Sequence, residues 1–170
     1  MVNRLAQELV TRRAVEFGSF TLASGAKSDY YIDVKSAVTR PELLSIIGKT
    51  VAQDFSFDVI AGVAVGGVPL AVAISLESGK PYAIVRSAEK DHGKKSPVIG
   101  DVKGRSVLLI EDVTTSGGSA LYGVETLRAS GALIDRVVTV VDREEGALEM
   151  LQRRNIRLIP LVRVTELRQG

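Results

Sequence analysis

Short apolar runs that alternate with helical segments constrain the fold of this chain more than any other feature. The apolar runs are residues 58–65, 81–85, 106–110, 135–141 and 156–162. Their apolar side chains occupy both alternating positions, which is typical of strands buried on both faces of a sheet. The helical segments among them are residues 69–78, 119–130 and 146–153. The pattern predicts an α/β fold with a doubly wound, mostly parallel sheet and right-handed crossovers.

The N-terminal part of the chain has a different pattern. Apolar residues recur at helical spacing over residues 3–17, with Asn3 as a suitable N-cap and Gly18 as a suitable residue just past the end. We therefore predict a first helix over this range. Residues 20–25 and 28–34 follow as two extended segments separated by a glycine turn.

Pro41 predicts the start of a second helix, because proline is favoured at the first helical position. The helical pattern runs to about Asp54. A chain of 170 residues suits one domain. We expect a single domain with a small N-terminal hood at about residues 1–40 and a core at about residues 41–170.

Composition excludes several classes of function. The chain has no cysteine, so disulfides, thiolate metal sites and cysteine nucleophiles are ruled out. The 22 lysines and arginines nearly balance the 20 acidic residues, which does not favour nucleic acid as a partner. No apolar run approaches the roughly 20 residues that span a bilayer, and the N-terminus does not read as a signal peptide. We expect a cytoplasmic protein without nucleic-acid or membrane partners.

Residues 107–120 carry the strongest chemical signal. A buried strand leads into Glu111 and Asp112, a run rich in Thr, Ser and Gly follows, and a helix begins near Ser119. Ligands of open parallel sheets bind at the carboxyl ends of strands, and a helix N-terminus suits a phosphate. Two carboxylates beside that position suit the vicinal hydroxyls of a sugar, so the segment predicts a ribose 5-phosphate site. An ordinary helix cap with a tight turn is the alternative interpretation.

Residues 86–103 form a polar stretch without apolar periodicity. Its cationic residues are Arg86, Lys90, His92, Lys94, Lys95 and Lys103. A loop this long inside a compact domain is often functional, and a solvated charged loop is the alternative. His92 is the only histidine and lies in polar surroundings, which favours a functional role, with proton donation as one possibility.

Five segments together resemble the type I phosphoribosyltransferases. Residues 107–120 resemble the phosphoribosyl-pyrophosphate motif of that superfamily. The other four segments are similar to parts of the orotate phosphoribosyltransferases: the hood (20–33), the pyrophosphate turn (62–70), the start of the mobile catalytic loop (86–93) and the segment whose arginine meets orotate (142–146). The resemblance spans about residues 17–146, and the hood with the Asp142–Arg143 pair points to the orotate family.

The resemblance implies a type I phosphoribosyltransferase fold and a role for each matching residue. The implied reaction is Mg²⁺-dependent transfer of ribose 5-phosphate from phosphoribosyl pyrophosphate to orotate, giving orotidine monophosphate and pyrophosphate. The implied catalytic residues are Arg86, Lys90, His92 and Asp112. The implied substrate-binding residues are Lys27, Tyr30, Tyr31, Gly66, Gly67, Glu111, Thr114, Thr115, Ser116, Gly117, Gly118, Ser119 and Arg143. No residue is assigned directly to Mg²⁺, which the substrate would mainly hold, and a homodimer that shares loop 86–103 across its interface is implied.

Three positions depart from the family pattern. Ala23, Gly66 and Ser87 stand where family members often carry basic residues, so fewer cations are expected around the pyrophosphate. Lys27 either substitutes for the lysine absent at Ala23 or is an ordinary surface lysine. A purine phosphoribosyltransferase and a non-catalytic regulator that senses phosphoribosyl pyrophosphate are the alternative functions. Arg143 disfavours a purine, which has no carboxylate, and the lack of an added DNA-binding element disfavours a regulator.

Overall fold

The computed structural model of the chain describes residues 4–21, 25, 27–87 and 96–168. The helices are α1 (Arg4–Thr11), α2 (Val34–Ala37), α3 (Pro41–Asp54), α4 (Gly67–Ser78), α5 (Gly118–Ala129), α6 (Ala147–Gln152) and α7 (Val164–Leu167). The strands are β1 (Val15–Thr21), β2 (Lys27–Ile32), β3 (Val59–Val63), β4 (Tyr82–Val85), β5 (Val98–Ile99), β6 (Val107–Thr114), β7 (Arg136–Asp142) and β8 (Arg157–Arg163). None of the helices in these ranges is long and apolar enough to cross a membrane.

The central sheet has six strands in the order β5-β4-β3-β6-β7-β8. All neighbours are parallel except β5, which pairs antiparallel with β4. From β3 the chain proceeds outward to β4, and from β6 it proceeds outward in the opposite direction to β7 and β8. The direction therefore reverses between β3 and β6, and the crevice at their carboxyl ends is the place where open α/β sheets bind ligands. The predicted α/β class and mostly parallel sheet are confirmed.

The central strands are buried on both faces, as their apolar pattern predicts. In β6, Leu108 and Ile110 pack into the core beneath α1, α3 and α4. Val107 and Leu109 of the same strand pack into a second core beneath α5 and α6. The sheet is thus fixed from two sides, which gives rigid support to the residues at its carboxyl edge.

Several predicted element ends are confirmed. Helix α3 begins at Pro41 and ends at Asp54. Helix α4 ends before Gly79, which takes the left-handed conformation with φ 68° that glycine tolerates. The hood strands β1 and β2 form an antiparallel hairpin. Strand β2 matches the predicted segment 28–34, whereas β1 begins at Val15, earlier than the predicted segment 20–25.

The predicted helix over residues 3–17 is wrong in its second half. Helix α1 ends at Thr11, and strand β1 begins at Val15. Arg13 takes the left-handed conformation, with φ 56°, and the Arg13 and Ala14 amides donate to the carbonyls of Val10 and Leu9 in a Schellman ending. An arginine at the position usually held by glycine hides this signal in the sequence. The predicted N-cap, Asn3, lies outside the described residues.

The predicted loop 86–103 is shorter in the structure. Residues 98–99 form β5 at the sheet edge, and the side chains of Val98 and Val102 are buried. These two valines anchor the end of the stretch to the second core. Too few apolar residues are present there to produce a recognisable period, which explains the error. Residues 88–95 lie outside the described residues.

Candidate functional site

The turn between β6 and α5 encloses a cavity of about 240 Å³, here called the β6–α5 cavity. It is lined by Glu111, Val113, Thr114, Thr115, Ser116, Gly117, Gly118, Ser119 and Ala120. Gly117 has φ 86°, which favours glycine, and a Cβ there would also lie only 3.2 Å from Ala147 Cα. The first backbone N–H groups of a helix have no intrahelical partner, and the positive end of the helix dipole lies there. The cavity therefore suits a phosphate group.

Two buried carboxylates lie at the end of β6 beside this cavity. Glu111 and Asp112 are only 4% and 6% exposed. Burial raises the pKa of Glu111 to about 7, and the charge of Asp112 acts in the same direction, while the hydrogen bond from Ser119 and the charge of Lys35 oppose the rise. Ser119 Oγ donates to Glu111 Oε1 at 2.9 Å. The pair can accept hydrogen bonds from adjacent hydroxyl groups.

The turn between β3 and α4 lies directly against these carboxylates. A Cβ on Gly66 would lie 2.6 Å from Asp112 Cγ, and a Cβ on Gly67 would lie 2.7 Å from the Ile110 carbonyl oxygen. The peptide bond between Ala64 and Val65 in this turn is cis. The two predicted glycines thus bring the backbone of the turn to the carboxyl end of β6, at the point where the strand order reverses.

A second cavity, of about 200 Å³, lies between the hood and the core and is here called the hood cavity. It is lined by Ile32, Asp33, Val34, Lys35, Asp112, Val113, Thr115 and Arg143. Thr115 and Val113 also line the β6–α5 cavity, so the two spaces adjoin. Lys35 Nζ lies 3.5 Å from Asp112 Oδ2. The hood cavity therefore offers two cations, Lys35 and Arg143, to an anionic group.

Arg143 is held by residues of its own loop and of the hood. Its Nε donates to Glu145 Oε1 at 2.8 Å, and Tyr30 Oη donates to the same oxygen at 3.1 Å. The Arg143 guanidinium carbon lies 4.9 Å from the centre of the Tyr30 ring, a cation–π contact. Burial raises the pKa of the Tyr30 phenol, Arg143 opposes that rise, and the hydrogen bond to Glu145 adds to it.

The structure separates the two predicted tyrosines. Tyr30 is buried beside Arg143, whereas Tyr31 is 45% exposed on the other face of β2, with its ring centre 5.8 Å from that of Phe20. Adjacent residues of a strand point to opposite faces, so only one of them can face the core. Lys27 is exposed and, as the first residue of β2, pairs with Thr21, the last residue of β1. Among the described residues, the linings of both cavities include neither Tyr31 nor Lys27.

Thr114 has a different partner from the one its motif suggests. Its hydroxyl donates to Asp142 Oδ1 at 2.9 Å, in a buried contact. The Glu144 amide donates to the same oxygen at 3.2 Å, and the Arg143 amide donates to the Thr114 carbonyl. The hydroxyl of Thr114 therefore joins the ends of β6 and β7, whereas Thr115 and Ser116 are exposed.

Arg86 closes the base of the predicted catalytic loop. Its amide donates to the Pro97 carbonyl at 2.9 Å, and Tyr122 Oη donates to the Arg86 carbonyl at 3.1 Å. The two ends of the segment are thus held together at the sheet edge. Lys90 and His92 lie outside the described residues.

Sequence reasoning missed three residues of this region: Lys35, Asp142 and Glu145. Lys35 lies two residues after the hood segment 20–33, and a cation so close to a segment that lacks the family's basic residue at position 23 is a usable signal. Asp142 lies in segment 142–146, in which the resemblance assigned a function to Arg143 alone. Within the described residues, no group of three or more His, Asp or Glu side chains is arranged to hold a metal ion.

Comparison with known proteins agrees with this geometry. The family model of the phosphoribosyl transferase domain matches residues 35–153. The orotate phosphoribosyltransferase of Methanocorpusculum labreanum is 65% identical over 167 residues, which cover 98% of this chain and 99% of that protein. The crystal structure of orotate phosphoribosyltransferase from Aeropyrum pernix has 34% sequence identity and a TM-score of 0.85, covering 97% of this chain and 96% of that one.

A second similar crystal structure contains a bound ligand. It is Mycobacterium tuberculosis H37Rv orotate phosphoribosyltransferase in complex with 5-phospho-alpha-D-ribosyl 1-diphosphate. It has 30% sequence identity and a TM-score of 0.79, and the match covers 97% of each chain. With most of its length matched in all these comparisons, this chain belongs to the phosphoribosyl transferase domain family and, within it, to the orotate phosphoribosyltransferases.

Proposed function

We propose that this chain transfers ribose 5-phosphate from phosphoribosyl pyrophosphate to orotate, a step of pyrimidine nucleotide synthesis. The observation that carries the proposal is the position of Glu111 and Asp112. Both are buried carboxylates at the carboxyl end of a central strand, next to a cavity that suits a phosphate. The names of the relatives, and the phosphoribosyl pyrophosphate complex of the mycobacterial protein, support the same assignment.

In this proposal the β6–α5 cavity holds the 5-phosphate. The exposed hydroxyls of Thr115 and Ser116 and the backbone N–H groups at the start of α5 would donate to the phosphate oxygens. The Ser119 hydroxyl donates to Glu111 instead and links this site to the carboxylate pair. Glu111 and Asp112 accept hydrogen bonds from the ribose hydroxyls. Gly66 and Gly67 let the β3–α4 turn lie against the end of β6, because a Cβ at either position would lie within 2.7 Å of Asp112 or of the Ile110 carbonyl oxygen. The turn placed in this way would bind the pyrophosphate.

In the transfer step, the bond between ribose C1 and the pyrophosphate oxygen breaks and a bond from orotate N1 to C1 forms. Pyrophosphate leaves with the electron pair of the broken bond, and the proton of orotate N1 is released. Negative charge develops on the leaving group, so preorganised cations lower the barrier. We assign this role to Arg86, Lys90 and His92, which would close over the pyrophosphate as a loop that excludes water.

Mg²⁺ fits the donor set of the described residues as a substrate-bound ion. Carboxylates suit Mg²⁺, which typically uses one or two of them together with substrate phosphates. The described residues offer the pair Glu111 and Asp112 and no cage of three ligands. When bound, Mg²⁺ would neutralise charge on the departing pyrophosphate. The protein side of that site would be this carboxylate pair, with the substrate supplying most of the ligands.

The base site is assigned to the hood cavity. Arg143 would meet the orotate carboxylate, and Tyr30 holds the Arg143 side chain from below by the cation–π contact. Thr115 lies between this cavity and the β6–α5 cavity, where base and sugar would be joined. Tyr31 faces away from this region, so we give it no contact with orotate.

We also propose a cytoplasmic homodimer in which loop 86–103 of each subunit reaches the site of its partner. The cations of this loop would add to a site in which Ala23 and Gly66 supply none. The absence of cysteine agrees with a reducing compartment. Sedimentation of the purified chain, with and without residues of the loop replaced, tests the assembly.

The central experiment measures the loss of orotate absorbance by the purified chain with phosphoribosyl pyrophosphate and Mg²⁺. Adenine, hypoxanthine and uracil serve as parallel substrates. We expect orotate-specific turnover that stops when Mg²⁺ is chelated. Arg143→Ala should lose at least about a hundredfold in kcat/KM, because it would remove the charge-assisted contact with the orotate carboxylate. Arg157→Ala, which removes an exposed arginine at the other end of the sheet, controls for the loss of one positive charge.

The alternatives make different predictions in this experiment. Turnover of adenine or hypoxanthine instead of orotate would keep the ribose 5-phosphate site and replace our assignment of the hood cavity with a purine site. Binding of phosphoribosyl pyrophosphate without turnover of any base would favour a regulator. No observation of the described residues specifically favours either alternative.

A further inference from the structure

The last described helix, α7, contacts both parts of the proposed base site. At its start, the Thr165 amide donates to Glu144 Oε2 at 2.9 Å. Just past its end, Arg168 Nη2 lies 2.8 Å from Asp29 Oδ1. The Arg168 guanidinium carbon also lies 5.3 Å from the centre of the Tyr30 ring. One short helix thus joins the loop that carries Arg143 to the hood strand that carries Tyr30.

These contacts close a ring. Arg143 and Glu145 bind Tyr30, through the cation–π contact and the shared carboxylate oxygen. Glu144, the residue between them, points instead to α7. Arg168 completes the ring by returning from α7 to Tyr30. The residues of this ring therefore contact more than one neighbour, which restrains them more than a single surface ion pair would.

The backbone of Glu144 is adapted to this arrangement. Its φ is 58°, in the left-handed region that non-glycine residues rarely adopt. Its amide donates to Asp142 Oδ1, and its side chain accepts from Thr165. Both hydrogen bonds stabilise this backbone conformation of Glu144. They also direct the side chains of Arg143 and Glu145 toward the hood while Glu144 faces the helix.

Helix α7 itself is fixed to the core. Val164 and Leu167 are 6% and 3% exposed, and Leu167 packs in the core beneath α1 and α3. Arg163, at the start of the helix, is different: among the described residues its ion pair is a 3.9 Å contact with Glu166 of the same helix. Of the two arginines that flank α7, Arg168 therefore contacts the hood, whereas Arg163 pairs with a residue of α7 itself.

We propose that α7, through Arg168 and Glu144, is a positioning device for the base site. Arg168 orients the Tyr30 ring, and Tyr30 in turn orients Arg143 toward orotate. Arg168 is a positioning residue and does not itself contact substrate. The inference rests on the proposed function, in which Arg143 meets the orotate carboxylate.

The test compares Arg168→Ala with Arg163→Ala in the otherwise unchanged chain. The two side chains are matched, with exposed fractions of 47% and 48%. We expect Arg168→Ala to raise the KM for orotate about fivefold, because it removes one exposed ion pair and one cation–π contact. The kcat and the KM for phosphoribosyl pyrophosphate should stay within about twofold of wild type. Arg168→Lys, which keeps the charge over Tyr30, should recover most of the orotate affinity.

A second measurement does not depend on catalysis. Hydrogen exchange of the peptide covering residues 142–146 should be faster in Arg168→Ala than in wild type, and unchanged in Arg163→Ala. Equal exchange in both variants, or an orotate KM for Arg168→Ala equal to that of Arg163→Ala, overturns the positioning role. If wild type consumes no orotate, the proposed function fails, and exchange alone then decides whether α7 orders the Arg143 loop.

Discussion

Ser119 donates its hydroxyl hydrogen to Glu111 Oε1 at 2.9 Å and so connects the first turn of α5 to a carboxylate buried at the end of β6. The proposed phosphate site and the proposed sugar site are therefore parts of one hydrogen-bonded unit. Glu111 has little other compensation for its burial, since Lys35 and Ser119 only partly oppose the desolvation that raises its pKa to about 7. A carboxyl group that titrates near neutral pH makes this unit sensitive to pH.

The first prediction concerns Glu111→Gln and stability. In the unfolded chain Glu111 titrates near 4.5, whereas in the folded chain it holds its proton up to about 7. Between these values the folded state binds more protons, so its stability falls as pH rises. The glutamine variant lacks this term. The free energy of unfolding of wild type minus that of Glu111→Gln should therefore drop by about 2–3 kcal/mol between about pH 5 and about pH 8.

Urea unfolding of both proteins across this pH range measures the difference. Most of the drop should lie below pH 7, with a level region above it. Parallel pH curves for the two proteins would show that Glu111 is ionised throughout and that its burial is compensated by groups other than Ser119 and Lys35.

The second prediction concerns Gly66→Ala. Gly66 has φ −62° and ψ −37°, which alanine adopts without strain, so only space is at issue. The new methyl group would lie 2.6 Å from Asp112 Cγ and must displace that carboxylate. We expect the KM for phosphoribosyl pyrophosphate to rise at least about tenfold, because one lost charged hydrogen bond has that magnitude.

Gly18→Ala is the control for this substitution. A Cβ at Gly18 would lie 3.4 Å from the Phe20 ring, an ordinary contact, and the residue lies in the hood hairpin away from Asp112. Steady-state kinetics with varied phosphoribosyl pyrophosphate should separate the two variants. Equal KM values would mean that Asp112 can move aside without losing its contact with the sugar.

The parts of the site that the sequence predicts are those that lie within one continuous segment. The run of residues 107–120 gives the strand, the two acids and the helix start in order, because each step has its own local signal. Pro41 marks a helix start for the same reason. Gly66 is also predicted, through the resemblance of residues 62–70 to the pyrophosphate turn of the family.

The parts that the sequence does not predict depend on contacts between distant segments. Thr114 reads as a phosphate ligand, but Asp142, 28 residues away, takes its hydroxyl. Arg168 reads as a terminal surface arginine, although it lies over Tyr30, and no local pattern reports such a contact. The end of α1 is unpredictable for a different reason. Arg13 takes the positive φ that ends this helix, and arginine rarely adopts that conformation, so its sequence gives no stop signal.

The third prediction tests the contact between Thr114 and Asp142. Thr114→Val keeps the side-chain volume but removes the hydroxyl donor from a buried carboxylate that is 3% exposed. Leaving a buried acceptor without one of its donors costs about 1–3 kcal/mol in the free energy of unfolding. Thr114→Ser keeps the hydroxyl and should lose less. Urea unfolding compares the three proteins, and equal stability of the valine and serine variants would count against the hydrogen bond.

The fourth prediction concerns Lys35, the cation that sequence reasoning missed. Its ammonium lies 3.5 Å from Asp112 Oδ2, and its side chain is 64% exposed, so this ion pair contributes little to stability. Its importance is electrostatic: anionic substrates enter a space already bordered by Glu111 and Asp112, and Lys35 offsets that negative charge. Lys35→Met should therefore lower kcat/KM about tenfold, with a free energy of unfolding within about 1 kcal/mol of wild type.

Two variants make this last prediction specific to the position of the charge. Lys35→Arg keeps the cation near Asp112 and should retain most of the activity. Lys49→Met removes an equally cationic, exposed side chain from α3, which borders a different cavity, and changes net charge by the same amount. If Lys35→Met and Lys49→Met have the same kcat/KM, overall charge rather than the Lys35–Asp112 pair governs substrate entry, and the family's missing basic residues are replaced elsewhere.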